Sequence, residues 1–257
     1  MAIITLTTDF GLADGYVGIM KGVILGIARD VDLVDLSHNI PPQDVREAIY
    51  LLDGAAPYFP DGAIHLAVID PGVGSERRAL VVRTARACYV GPDNGLFSRP
   101  LAEPGAQAWE LDRPEFWLPQ VSRTFHGRDI FSPAAAHLAN GVLPGEMGRP
   151  VVDPVRLAIA RPTRAPDGAI HGRVLHVDRF GNLITDVPAA WVAGEGGKCR
   201  IAGEVLLGIS GTYAVAHPGA LLVLIGSGGT LEIAERNGNA ARRLGVKAGE
   251  PVFLWSE

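Results

Sequence analysis

The sequence predicts two domains of different class: an α/β domain with a mainly parallel sheet, then an all-β domain. Three observations carry this. Strand patterns alternate with helical ones to about residue 150. A stretch marked by Pro150, Pro154, Pro162, Pro166 and Gly168 then reads as a linker. Beyond it, short β-rich runs recur at regular spacing with turn residues between them. On this pattern the α/β domain covers 1–155, the linker 156–168 and the β domain 169–257.

In the first domain, residues 3–8 form a buried strand that delivers Asp9, Phe10 and Gly11. Residues 16–28 carry apolar side chains at helical spacing, and 31–37 alternate as a second strand. Pro41 and Pro42 open a helix through 44–52. The apolar run 64–69 ends in Asp70-Pro71-Gly72, strands follow at 79–84 and 87–90, and 133–140 is helical. Helices interleaved with strands in this way stack as Rossmann-like layers. In the second domain, strands fall at 172–177, 183–186, 199–201, 206–209, 221–225, 231–234 and 252–255. With no long helical pattern between them, they close a small barrel or pack as a sandwich.

Composition narrows the function classes. Apolar residues are 47% and charged residues 20% of the 257, so the chain buries a core and is not disordered. Glycine (32) and proline (19) together make up about a fifth of the chain, against a usual share of ~12%. They have no three-residue period, which excludes collagen and leaves a fold rich in tight turns. A net charge of −5 without a basic block offers no footprint for nucleic acid. Cys88 and Cys199 have no metal-binding spacing and read as buried thiols in a reducing cytoplasm. The N-terminus reads as a first strand rather than a signal peptide. The longest apolar run, 220–226, is far short of the ~20 residues of a membrane span.

Polar groups collect where strands end, the edge at which open α/β sheets bind ligands. Asp9 and Asp70 each follow a strand. A lone aspartate there is commonly a cap or turn former, but two at one edge are not explained by one cap. Asp70-Pro71-Gly72-Val73-Gly74 makes a rigid loop, and Arg77 returns a cation to it; the bland alternative is a surface ion pair. His126 lies in the polar turn Thr124-Phe125-His126-Gly127-Arg128-Asp129 rather than on an apolar face, which favours a site over a core histidine. The other histidines show no metal-binding pattern, so no metal is expected. In the second domain, a hairpin turn at Asp178-Arg179-Phe180-Gly181-Asn182 explains Gly181 and Asn182 but leaves Asp178 and Phe180 free for other work.

Taken in order, these segments resemble the S-adenosyl-L-methionine (SAM) hydroxide adenosyltransferase family, the adenosine-forming SAM hydrolases, which share a fold with the fluorinases and chlorinases. The likeness runs from Thr8-Asp9-Phe10-Gly11 through Asp70-Pro71-Gly72-Val73-Gly74, Gly91-Pro92-Asp93-Asn94-Gly95 and the His126 segment. It continues to Asp178–Asn182 and Leu231-Glu232-Ile233-Ala234. It implies a C-terminal β-barrel and a homotrimer, with active sites between the first domain of one subunit and the second of the next. The catalytic set falls on Asp70, Arg77 and His126, with Arg77 chosen over Arg78 by family spacing. The resemblance further implies that Asp9 meets the ribose, Asp178 the methionine amino group, Asn182 the adenine edge and Ser227 the methionine carboxylate. Phe10, Phe125 and Phe180 complete the substrate-binding set. Where halogenases suit a halide, this chain has Asp70, Val73 and Gly127. Gln43 replaces the fluorinase's bulky aromatic, and Gly228 an arginine.

The implied reaction is hydrolysis of SAM to adenosine and L-methionine without a cofactor. The alternatives are halogenation at the same carbon and non-catalytic SAM or adenosine binding. The residues suit hydrolysis. The sulfonium leaves as a neutral thioether, so no general acid is needed. Arg77 favours a hydroxide-like water, and either Asp70 or His126 takes the proton.

Overall fold

The computed structural model describes residues 1–159, 161–192 and 196–255. The chain divides into two units, Met1–Ala158 and Ile159–Glu257. The first is built on β1 (Ala2–Thr8), β2 (Val31–Ser37), β3 (Ala63–Val68), β4 (Ala79–Arg83), β5 (Ala87–Pro92) and β6 (Gln107–Glu110). Their order is β2-β1-β3-β5-β4-β6. The first three pairings are parallel, and β4 runs antiparallel to both β5 and β6, so the sheet is mainly parallel as expected. Every residue of β3 is buried, as a strand covered on both faces requires.

Helices α1 (Tyr16–Ile27), α2 (Val45–Ala55) and α3 (Ser132–Ala139) complete this unit. Ile4, Leu6, Met20, Ile24, Leu66 and Phe131 are among its core. Helix α2 starts later than the two prolines suggest. Asp44 caps it by accepting from the Glu47 N–H at 3.0 Å, while Pro41 to Gln43 form a loop in which Gln43 has φ 67°. Strand β6 was not expected. It is four residues long, and its hydrogen bonds come from β4 and residues 149–151 rather than from a local turn.

The second unit holds β7 (Thr163–Arg164), β8 (Ile170–Val177), β9 (Leu183–Pro188), β10 (Lys198–Ile201), β11 (Glu204–Leu207), β12 (Leu221–Ile225), β13 (Thr230–Glu235) and β14 (Pro251–Trp255). One continuous path, β11-β10-β14-β8-β9-β13-β12, joins them, with β7 paired to β8. A bridge from Ser210 to Leu224 ties the region after β11 to β12, so the sheet nearly closes on itself. That is a barrel rather than a sandwich. Ile170, Leu183, Cys199, Leu231, Ile233 and Val252 fill its interior.

Two corrections apply here. Strand β11 begins two residues before the expected 206, because Ala202 and Gly203 both adopt positive φ, as a two-residue type I′ hairpin requires. A short helix, α4 (Ala240–Leu244), was not expected; Asn239 caps it by accepting from the Arg242 N–H at 2.7 Å. Among the described residues, no helix is long and apolar enough to cross a membrane.

Close approach of β3 and β5 dictates one glycine. A Cβ on Gly91 would collide with the Ala67 carbonyl oxygen and the Phe97 ring. Gly91→Ala should therefore lose ~1–3 kcal/mol of stability. Gly18→Ala, on the open face of α1 with nothing within 4 Å of the new methyl, should gain ~0.5–1 kcal/mol. Urea midpoints of the two variants measured side by side check this.

Candidate active site

Strands β1 and β3 are parallel neighbours, with Thr8 opposite Val68. The residues that follow them therefore emerge at the same sheet edge, and Asp9 and Asp70 line one cleft of about 320 Å³. Phe10, Gln43, Phe125 and His126 also line it.

The loop after β3 turns tightly. The Val73 N–H donates to the Asp70 carbonyl at 3.2 Å, and the Ser75 hydroxyl to the Gly72 carbonyl at 2.7 Å. Gly74 has φ 77°, and a Cβ there would strike the Arg123 carbonyl. This path brings Arg77 back onto Asp70. Its Nε donates to Asp70 Oδ1 at 2.9 Å and its Nη2 to Oδ2 at 2.5 Å. The same Nη2 lies 2.7 Å from His126 Nδ1. The guanidinium also sits 5.1 Å from the Phe131 ring centroid. The side chains of Arg77 and Asp70 are only 10% and 5% exposed, so this is no surface ion pair. Arg78 points elsewhere, donating to Asp93 at 2.8 Å and to Asp153 at 2.7 Å.

His126 immediately precedes a π-helical turn over Gly127–Phe131 that leads into α3. The turn is anchored by Asp129, whose Oδ2 accepts from the Ser122 N–H at 2.8 Å, while the Ser122 hydroxyl accepts from the Phe125 N–H at 3.0 Å. Burial, followed by the Arg77 charge, holds His126 below the ordinary histidine value. Arginine has only donors, so Nδ1 is the acceptor and the neutral ring carries its proton on Nε2.

On the other wall, Asp9 Oδ2 accepts from the Gln43 N–H at 2.8 Å. A left-handed Gln43 aims that N–H, an uncommon conformation for a side chain of its size. Phe10 and Phe125 pack edge to face with centroids 5.9 Å apart, and Tyr16 closes the trio at 5.8 and 5.2 Å.

The second unit holds the remaining expected residues. Asp178, Phe180 and Asn182 share the β8–β9 turn, and Ser227 lies on the separate β12–β13 turn. One expectation is overturned. Asp178 is not left over by the turn but clamps it: Oδ1 accepts from the Phe180 and Asn182 N–H groups at 2.9 and 2.8 Å, and Oδ2 from the Asn182 amide at 2.9 Å. An aspartate followed closely by backbone donors makes this bond from local geometry alone. The same clamp leaves Phe180 73% exposed.

Glu232 belongs to the Leu231-Glu232-Ile233-Ala234 segment that carries the family resemblance. It is buried on β13 and accepts from the Tyr213 hydroxyl at 2.5 Å. Burial pushes its carboxyl up, against the opposing Tyr213 bond. A charged residue between the inward apolar positions of a strand was the available signal. Tyr16, at the start of α1, carried no sequence signal for the site and joins it only by packing on the Phe10 and Phe125 rings. Cys88 and Cys199 are unpaired, and burial raises both thiols, Cys199 to about 12. Among the described residues, no three His, Cys, Asp or Glu side chains are grouped as a metal site requires.

Models of the SAM hydroxide adenosyltransferase N-terminal and C-terminal domains match residues 4–148 and 172–253. A Thermus thermophilus protein named (R)-S-adenosyl-L-methionine hydrolase is 44% identical, covering 96% of this chain and 97% of its own. A Nocardia brasiliensis fluorinase is more distant, at 29% identity over 97% of this chain and 95% of its own. The crystal structure of a conserved Thermotoga maritima protein superposes with a TM-score of 0.91 at 33% identity, covering 98% of this chain and all of that one. The order of the motifs, the two-unit architecture and these likenesses agree: the chain belongs to the SAM hydroxide adenosyltransferase family.

Proposed function

We propose that this protein hydrolyses SAM to adenosine and L-methionine, with water attacking the ribose 5′ carbon. One observation carries the reading: a single buried guanidinium joins Asp70 to His126, and these two line a cleft that Asp9 also lines. As the water oxygen bonds to C5′, the C5′–S bond breaks and its electron pair leaves with sulfur as the neutral methionine thioether. The water proton must go to a base. His126 has spent Nδ1 on Arg77 and is also bonded to the Ser122 backbone, so Asp70 takes the proton. Arg77 stabilises the hydroxide character that develops. Opposite charges are neutralised in this step, so exclusion of water by the Phe10 and Phe125 rings accelerates it. An Asp70 carboxylate repels a halide, which favours hydrolysis over halogenation.

Asp9 binds the ribose in this reading. Phe10 and Phe125 pack on the substrate, and Asp178, Phe180, Asn182 and Ser227 bind the methionine and adenine ends. The two groups of residues lie on different units, and the reading assembles them as a homotrimer with sites shared between subunits. It needs no metal or cofactor and acts in the cytoplasm. The Thermus relative's name specifies the (R) epimer, and we extend that preference to this chain.

Incubation with (R)-SAM and chelator, without halide, should yield equimolar adenosine and methionine by mass. Adenosine should carry the label when the water is isotopically labelled. In a parallel incubation with added halide, formation of a 5′-halo nucleoside only, or in either incubation binding without turnover, would overturn the reading. Asp70→Asn should lower kcat ~10²–10⁴-fold with little change in KM. The profile of kcat/KM should be flat above pH 6.5 and fall at lower pH, as protonation of His126 removes the Nδ1 acceptor from Arg77; a fall centred above 6.5 contradicts this. Inactive Asp70→Ala and Asp178→Ala subunits, unfolded and refolded together, should regain partial activity if sites are shared between subunits. No recovery would place each site within one chain.

A further inference from the structure

Two loops make the Asp9 wall of the cleft, one after β1 and one after β2. The parallel pairing beneath them slips between Leu6 and Thr7, so the regular ladder fails just before the loops diverge. Past that slip, side chains join them. The buried Thr8 hydroxyl and His38 Nδ1 are 2.9 Å apart. Thr8 Oγ1 also accepts from the Phe10 N–H at 3.3 Å, and the Gly11 N–H donates to the His38 carbonyl at 2.8 Å. On the far side of the ring, Nε2 lies 2.9 Å from Asp35 Oδ1, in an approach too bent for a well-formed hydrogen bond. Asp35 is itself held by the Lys21 ammonium at 2.6 Å.

The donors and acceptors run in one direction. Lys21 donates to Asp35. With Nδ1 accepting the Thr8 hydroxyl, the imidazole turns Nε2 toward Asp35. That leaves the Thr8 lone pairs for the Phe10 N–H. We propose that His38 is a positioning residue for the substrate cleft: through Thr8 it sets the backbone that carries Asp9 and Phe10, while its far nitrogen faces the Asp35 carboxylate. A core histidine with no such task would link any two strands. This one links the residue directly before Asp9 to the loop that supplies the Gln43 N–H to Asp9. The inference rests on the reading of Asp9 and Phe10 as substrate contacts. Because neither Thr8 nor His38 lines the cleft, both act through others.

Three variants test it. Thr8→Val keeps the shape and removes the hydroxyl. In His38→Asn, Oδ1 takes the place of Nδ1 as acceptor. His38→Gln moves the amide toward Asp35 and leaves Thr8 without an acceptor. Thr8→Val and His38→Gln should raise KM for SAM and the Kd for adenosine about ten-fold, with kcat changed less than about three-fold. His38→Asn should recover KM to within about three-fold. A Thr8→Val protein with wild-type KM overturns the inference, as does equal impairment of the Asn and Gln variants. If the His38 variants do not fold, Thr8→Val decides alone. Wild-type protein that neither turns over SAM nor binds adenosine would instead remove the underlying reading of the cleft, and this inference with it.

Discussion

A guanidinium taken out of water costs several kcal/mol unless charge and hydrogen bonds compensate it. Arg77 meets that condition through Asp70, His126 and the face of Phe131, and the surrounding chain is shaped around it. Gly72 lets the Arg77 stem pass, since a Cβ there would lie 3.2 Å from Arg77 Cγ. Gly74 turns the loop against Arg123. His126, directly before the π-helical turn, presents Nδ1 to the same nitrogen that binds Asp70. Truncating any one of the three leaves another buried charge or polar group short of a partner, so their effects should not be additive.

The same arrangement determines the division of labour. A guanidinium offers no acceptor, so whatever it touches must accept from it. Asp70 and His126 are both committed as acceptors toward the cation. For the imidazole this leaves only a donor, whereas the carboxylate keeps further lone pairs. Electrostatics thus makes two side chains with overlapping abilities unequal.

The opposite wall depends on parallel pairing. Neighbouring parallel strands end at the same edge, which is why Asp9 and Asp70 meet although they are far apart in sequence. Where the ladder between β1 and β2 slips, side chains take over the backbone's task of holding the loops in register. The barrel unit uses a local device instead, an aspartate that folds its own turn.

Much of this was legible in the chain. Periodicity located nearly all the strands and helices, because alternation and helical spacing are properties of neighbouring residues. It missed β6, which exists only through pairing with distant segments, β4 and residues 149–151, and misplaced β11, whose turn depends on Ala202 adopting a conformation that glycine or asparagine more often supplies. Asp9, Asp70 and His126 stood out because they end strands or sit in polar turns. The sequence could not separate Arg77 from Arg78 by chemistry, since adjacent residues carry the same charge. The fold separates them by sending one to Asp70 and the other to Asp93. Nor could it assign the histidine's proton, expose the clamp made by Asp178, or set Tyr16 against the Phe10 and Phe125 rings. By itself, then, the sequence determined which residue types are present and the periodic elements that carry them. Only the tertiary structure decided who donates to whom, because hydrogen bonds between distant residues depend on distances and angles that local pattern does not contain.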